Sequence, residues 1–367
     1  MTILILNWKD IKHPAAGGAE ILTHEMAKGF IAQGHKVILF TSSFPHAREK
    51  ETIDGISIIR SGNVDLRAMH NSVQYKAYRY YQKHLKGNVD VIIDEVHGLP
   101  FFASFYAKEK VISLICEVAG DIWFKMFSFP WNIIGWISER CYLIAYRNIP
   151  ALTISESTKT ELISCGIAKK NITVLPMGIT RVSVKEINKE KKPTIIFVGR
   201  LNKMKGIEDA ILAAAKVKQT IPNLQFWIVG RGEDSYMNHL RDLVEKEGIK
   251  SSTIFWEYIP QQKKFTLMAK AHAIVVPSVR EGFGLIVPEA GSVGTPAVVY
   301  NVHGLRDTVK NGVNGIRVEK SITALTKGIT KILTEKKDYK KLCIGAKKES
   351  DRYQWNETAK VALQIIK

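Results

Sequence analysis

Cysteine is scarce, and what there is has no pattern. Four occur in 367 residues, Cys116, Cys141, Cys165 and Cys343. No Cys-x-x-Cys spacing and no pairing scheme links them, which excludes a disulfide-stapled scaffold and fits free thiols in a reducing, cytoplasmic setting. Long apolar runs are also missing. The opening MTILILNWKD is too short in its apolar stretch for a signal peptide and reads directly as a strand. Acidic residues are in the minority, 35 Asp and Glu against 53 Lys and Arg, for a formal net charge of +18.

With 46% hydrophobic and 24% charged residues, the chain is neither disordered nor collagen-like, and its length predicts two domains. The charge points to an anionic partner: nucleic acid, a membrane surface or a phosphorylated small molecule. It is unevenly spread. Residues 1–180 carry 20 basic and 16 acidic side chains, and residues 181–367 carry 33 and 19. Much of the excess sits late, at Lys336, Lys337, Lys340, Lys341, Lys347 and Lys348, where a solvated helix face accounts for it. No nucleic-acid-binding motif appears, and the lysine cluster lacks interleaved aromatics, so no nucleic-acid partner is expected.

Strand, loop and helix alternate along the chain. Ile3–Leu6 is followed by a loop through Gly17 and Gly18, then by Ile21, Leu22, Met26, Phe30 and Ile31 at helical spacing, then by a strand over Lys36–Thr41. Val89–Ile93, Val111–Ile115 and Ala151–Ile154 are short and uniformly apolar, as buried parallel strands are. The polar stretch Val182–Lys192 reads as a linker, after which strands are expected at Thr194–Val198, Gln225–Val229, Ala273–Pro277 and Ala297–Tyr300. Two such alternations imply an α/β protein of two doubly wound domains, with ligands at the carboxyl ends of the strands.

Residues 122–137, IWFKMFSFPWNIIGWI, stand apart, with three Trp, three Phe and one charge. The run is too short to span a bilayer. It reads either as a core or domain-packing helix or as an interfacial helix with aromatics at headgroup depth, in peripheral contact with a membrane.

Two motifs carry chemistry. In Phe197-Val-Gly-Arg200-Leu, followed by Lys203-Met-Lys205-Gly206, two cations fall at a strand end and a helix start, where free N–H groups already favour an anion such as a diphosphate. Taken alone, two surface cations near a turn are the plainer reading. In Glu281-Gly282-Phe283-Gly284-Leu285-Ile-Val-Pro288-Glu289, the glycines open a loop to close approach and Pro288 fixes the first turn of a helix. Glu281 and Glu289 could then face one ligand from two heights, as acceptors for paired sugar or ribose hydroxyls. Gly230-Arg-Gly232 lacks a third glycine and no Gly-x-Gly-x-x-Gly follows the first strand, which argues against a nicotinamide dehydrogenase.

Those residues resemble the family 4 retaining glycosyltransferases, together with Gly294-Thr-Pro296, Val229-Gly-Arg-Gly232, Gly17-Gly18-Ala19-Glu20, Ser155-Glu-Ser-Thr158 and Pro176-Met-Gly178. The resemblance covers nearly the whole chain. It implies the GT-B fold, two Rossmann-like domains facing a cleft: an acceptor-binding domain over 1–180, a nucleotide-sugar domain over 181–350, and a C-terminal helix, 351–367, returning to the first. It implies that Gly17 and Gly18 meet the donor phosphate, that Arg200 and Lys205 hold the diphosphate, and that Glu281 and Gly282–Leu285 contact the donor sugar. Glu289 would bind the ribose, and the loop at Gly230 and Tyr258-Ile259-Pro260 would lie along the nucleotide. The family's histidine after the Val111–Ile115 strand is here Cys116-Glu117. Glu117 or His97 takes its place as a sugar contact, or the donor sugar differs.

The expected reaction is retaining transfer from a nucleoside diphosphate sugar to a hydroxyl of a glycan or lipid-linked acceptor. No Asp-x-Asp occurs, so no metal and no cofactor are expected. A GT-B nucleotide-sugar epimerase or phosphorylase-like enzyme is the alternative, or else a non-catalytic nucleotide-binding protein.

Overall fold

The computed structural model describes residues 1–64, 69–184 and 187–367. The linker expected over Val182–Lys192 therefore includes two residues, 185 and 186, outside the described set. The chain forms two compact units, one of Met1–Gly178 with Gln354–Lys367, the other of Ile179–Tyr353.

The first unit is built on eight strands: β1 (Thr2–Leu6), β2 (Lys36–Thr41), β3 (Lys50–Ile53), β4 (Ile56–Arg60), β5 (Val91–Val96), β6 (Lys110–Ile115), β7 (Ala151–Thr153) and β8 (Ile172–Val174). Their order is β3-β4-β2-β1-β5-β6-β7-β8. All neighbours are parallel except β3 and β4. That hairpin turns on Asp54 and Gly55, both at positive φ (50° and 83°), the turn geometry that matches the strand twist. Ile3, Leu4 and Ile5 of β1 are fully buried on both faces of the sheet.

The strand expected at Val89–Ile93 instead runs Val91–Val96 and takes in two buried carboxylates. They are tolerated because both are bonded. Asp94 accepts from the Phe101 and Ala103 N–H groups and from the Tyr146 hydroxyl, and Glu95 accepts from the Thr23 hydroxyl. The chain ends in a helix, Trp355–Ile366, that packs on the Gly18–Ala32 helix of the same unit. Only glycine fits at the contact: a Cβ on Gly29 would lie 2.2 Å from that of Ala359.

Residues 122–137 do not form one helix. Ile122–Met126 and Trp131–Ala145 are separate helices, interrupted before Pro130. Nor are they core. Trp123 and Gly135 pack inward together, but Phe129 is 77% exposed and Trp131 58%, and Phe124, Phe127, Ile133, Ile134 and Ile137 are exposed as well.

The second unit has six parallel strands: β9 (Thr194–Val198), β10 (Gln225–Val229), β11 (Thr253–Trp256), β12 (Ala273–Val276), β13 (Ala297–Tyr300) and β14 (Gly315–Val318), ordered β11-β10-β9-β12-β13-β14. Apolar clusters cover both faces, one against the Ile207–Thr220 helix, the other against the Gln261–Lys270 and Ile286–Ser292 helices. In both units the chain leaves the first strand to one side and later resumes on its other side. The switch points lie between β1 and β5 and between β9 and β12, where an open parallel sheet takes its ligands.

Candidate active site

In the second unit the two chemical motifs flank the β9/β12 switch point. After β9 the chain passes Gly199 and Arg200 into a single turn, Lys203–Lys205, capped by the Asn202 side chain on the Lys205 N–H. The Ile207–Thr220 helix then starts beyond Gly206. Gly206 has φ 68°, and a Cβ there would lie 2.0 Å from the Pro277 carbonyl oxygen, so the turn rests directly on the end of β12. The Val279 N–H donates to the Met204 carbonyl, a second tie between the loops.

This apposition brings Lys205 and Glu281 together. The Lys205 ammonium donates to Glu281 Oε1 at 2.6 Å, and the Ser278 hydroxyl donates to the same oxygen at 2.7 Å. His303 Nδ1 donates to the Glu281 carbonyl at 3.0 Å and fixes the backbone. Gly284 has φ 83°, which glycine adopts freely, and Phe283 is buried edge-on to Tyr353. Arg200 is exposed and has no ion pair among the described residues.

Glu289 sits in the first turn of the short Ile286–Ser292 helix with 7% of its surface exposed. Burial pushes its carboxyl pKa up, opposed by the Lys264 ammonium, which donates to Oε2 at 2.7 Å. Lys264 was not singled out by the sequence. Its only signal is position, one turn into the helix that follows Pro260. Gly230 follows β10 and leaves no room for a side chain, since a Cβ would fall 1.9 Å from the Gly199 oxygen. Ile259 is half-buried against the core beneath, and Tyr258 is 90% exposed.

The remaining candidates belong to the first unit. Gly17 caps the Gly18–Ala32 helix: its N–H donates to Glu20 Oε2 at 2.6 Å, and Gly18 is exposed in the first turn. His97 follows β5, with Nε2 3.2 Å from Glu95 Oε2 and its ring stacked on Trp8 at 5.5 Å and 8°. Cys116 and Glu117 follow β6, and Cys116 is a buried free cysteine. The loop behind them is held by the buried carboxylate of Glu139, which accepts from the Ala119 and Gly120 N–H groups, both at 2.7 Å. Trp8 and Glu95 carried no motif in the sequence, although a carboxylate pair inside an apolar run is itself a signal. Among the described residues no group of three or more His, Cys, Asp and Glu side chains could hold a metal ion.

Two family models match the chain, one for Glycosyltransferase Family 4 over residues 16–181 and one for group 1 glycosyl transferases over residues 179–349. An uncharacterized glycosyltransferase of Methanocaldococcus jannaschii is 26% identical over all of this chain and 98% of its own length. Among solved structures, sucrose-phosphate synthase of Thermosynechococcus elongatus superposes with TM-score 0.83 at 20% identity, covering 99% of this chain and 98% of that one. Anabaena HepE in complex with UDP-glucose superposes with TM-score 0.73 at 18% identity over the whole of both chains.

Proposed function

The chain belongs to the family 4 glycosyltransferases of the GT-B fold, and from that premise we propose that it transfers a sugar from a nucleoside diphosphate donor to an acceptor hydroxyl with retention of anomeric configuration. The observation that carries the donor assignment is the Lys205–Glu281 pair across the β9/β12 switch point. A cation and a carboxylate joined there suit a ligand with an anionic diphosphate next to a hydroxyl-rich sugar. The UDP-glucose bound to Anabaena HepE supports the same donor class.

In this reading Arg200 and Lys205, with the N-terminus of the Ile207–Thr220 helix, stabilise the charge that grows on the leaving phosphate. Preorganised donors of this kind contribute roughly 3–4 kcal/mol each in a water-poor site. Glu281 and the Gly282–Leu285 backbone position the donor sugar, Glu289 accepts from the ribose hydroxyls, and Gly230 and Ile259 lie along the nucleotide. Gly18, exposed in the first turn of its helix, offers its N–H to the phosphate, whereas the Gly17 N–H is already bonded to Glu20 and shapes the helix start. Catalysis needs no metal, and the leaving phosphate takes the acceptor proton on the front face.

The acceptor is a glycan or lipid-linked group at the cytoplasmic face of a membrane. No helix among the described residues is long and apolar enough to cross a bilayer. What supports surface contact is the exposed aromatic and aliphatic face of residues 122–137, bordered by Lys125 and by Arg140, whose guanidinium lies 4.0 Å from the Trp136 ring centroid.

Thermal-shift titration with UDP-, GDP- and ADP-sugars tests the donor assignment. One series should stabilise the protein, and Arg200→Ala and Lys205→Ala should each reduce that shift at a given ligand concentration. Unchanged donor affinity in both variants overturns it. NMR of the anomeric proton in the product tests retention, and turnover in EDTA tests metal independence.

A further inference from the structure

The late lysine cluster, which the donor site does not use, falls on one helix, Lys336–Ser350. The buried side of that helix, with Leu342, Ala346 and Ser350, packs on the Ile286–Ser292 helix, so closely that a Cβ on Gly291 would lie 2.8 Å from the Ala346 oxygen. The packing fixes which side faces solvent. At roughly 100° per residue, Lys336, Lys340 and Lys347 lie to one side of Ile344, and Lys337, Lys341 and Lys348 lie to the other, all within about 80° of it. All six lysines are exposed, and none has an ion pair among the described residues. The acids of the helix lie off this arc. Glu349 is buried and already meets Lys310 at 2.6 Å and Arg352 at 3.4 Å, and Asp338 stands one turn before Leu342 on the packed side.

Ile344, at the centre of the arc, is 71% exposed. The next residue has to be glycine, since a Cβ on Gly345 would lie 2.0 Å from the Val313 oxygen. Val313 is thereby seated against the helix and is itself 40% exposed. Two aliphatic side chains thus stand among six ammoniums. A nucleic acid would answer the charge but offers the aliphatics no hydrocarbon, and the arc carries no aromatic on which a base could stack. An anionic bilayer answers both, with phosphates at the surface and acyl chains just beneath.

We propose that the Lys336–Ser350 helix docks on an anionic lipid bilayer, with its lysines on the lipid phosphates and with Ile344 and Val313 at the headgroup boundary. The proposal rests on the membrane-face reading and deepens it. Lipid charge becomes what recruits the protein, through a contact on the second unit that is independent of the aromatic face of residues 122–137. A weak apolar anchor and a polybasic patch reinforce each other on a membrane.

Co-sedimentation of the full chain with phosphatidylcholine vesicles, with and without phosphatidylglycerol, tests it. Binding should require phosphatidylglycerol and weaken at high salt. Replacing four lysines together, by Lys340→Gln, Lys341→Gln, Lys347→Gln and Lys348→Gln, should weaken it by about 100-fold or more, since each lysine at an anionic surface contributes about fivefold. Ile344→Ser should cost about 3-fold, a loss that charge alone does not produce. A charge-matched control at exposed lysines elsewhere, Lys169→Gln, Lys170→Gln, Lys216→Gln and Lys246→Gln, should bind like the wild type.

The proposal falls if wild-type protein ignores both vesicles or binds both equally, or if the control loses as much as the four-lysine variant. It falls too if a DNA duplex binds through the same lysines more tightly than the vesicles do. Binding that survives Phe129→Ser with Trp131→Ser would overturn the aromatic contact and leave this one standing, and loss of nucleotide-sugar binding would bear on the donor assignment alone.

Discussion

Lys205 and Glu281 lie 76 positions apart in sequence, and the ammonium of one donates to the carboxylate of the other at 2.6 Å. The pair connects the turn after β9 to the loop after β12 and gives each charge a partner. Donor binding therefore has to share Lys205 between a phosphate and Glu281. Lys205→Ala should weaken donor binding by roughly 10–100-fold, the range of a hydrogen bond to a charged group. Glu281→Gln keeps the shape and should cost less. Isothermal titration with the stabilising nucleotide sugar measures both.

Glu289 and Lys264 form the more deeply buried pair. Removing the cation leaves an unpaired carboxylate, and Lys264→Ala should destabilise the second unit by about 3 kcal/mol at neutral pH. The loss should depend on pH. The folded pKa of Glu289 is already raised by burial, so the folded state favours its protonated form. That contribution is complete below the ordinary glutamate range and is lost as pH rises through the folded pKa. Without Lys264 the folded pKa climbs further, so the deficit in melting temperature should be larger at pH 8 than at pH 5. Melting curves at the two values check the sign.

Arg60 is buried and bonds Asp10 through Nε and Nη2 at 2.6 and 3.1 Å, and Glu51 through Nη1 at 2.9 Å. Asp10 belongs to the loop that leads from β1 to Gly17. Arg60→Leu strands the buried Asp10 carboxylate and should cost about 3–5 kcal/mol. Denaturant unfolding reads the loss.

A Cβ on Gly178 would lie 2.2 Å from the Trp355 ring. Gly178→Ala should cost about 1–3 kcal/mol by overpacking. In a Trp355→Ala background the cost should shrink without vanishing, because the ring is gone but the backbone nitrogen of residue 355 still lies 2.6 Å from the added Cβ. A double-mutant cycle by denaturant unfolding decides it.

Phe129→Ser with Trp131→Ser should abolish flotation of the protein with phosphatidylglycerol vesicles and leave nucleotide-sugar binding intact. Wild-type protein that stays in the soluble fraction removes the membrane contact.

Much of this was legible in the sequence. The uniform apolarity of the strands announced buried parallel sheets, and the glycines, Pro288 and charged residues of the two motifs marked both sides of the β9/β12 switch point. Segments with mixed polarity were harder. Asp94 and Glu95 hid the true extent of β5, because whether a carboxylate can sit in a core strand depends on donors supplied from elsewhere in the chain. The aromatic content of 122–137 fitted burial as well as exposure, since composition does not say which face of a helix finds a neighbour.

The sequence by itself determined the fold class, the family and the residue types at the donor side, because those depend on local periodicity, turn chemistry and motifs read within a few residues. Only the tertiary structure decided the partnerships: Lys205 with Glu281, Lys264 with Glu289, His97 with Trp8 and Glu95. The reason is physical. A buried charge or ring is defined by what surrounds it, and strand order brings together segments whose distance along the chain carries no record of the contact.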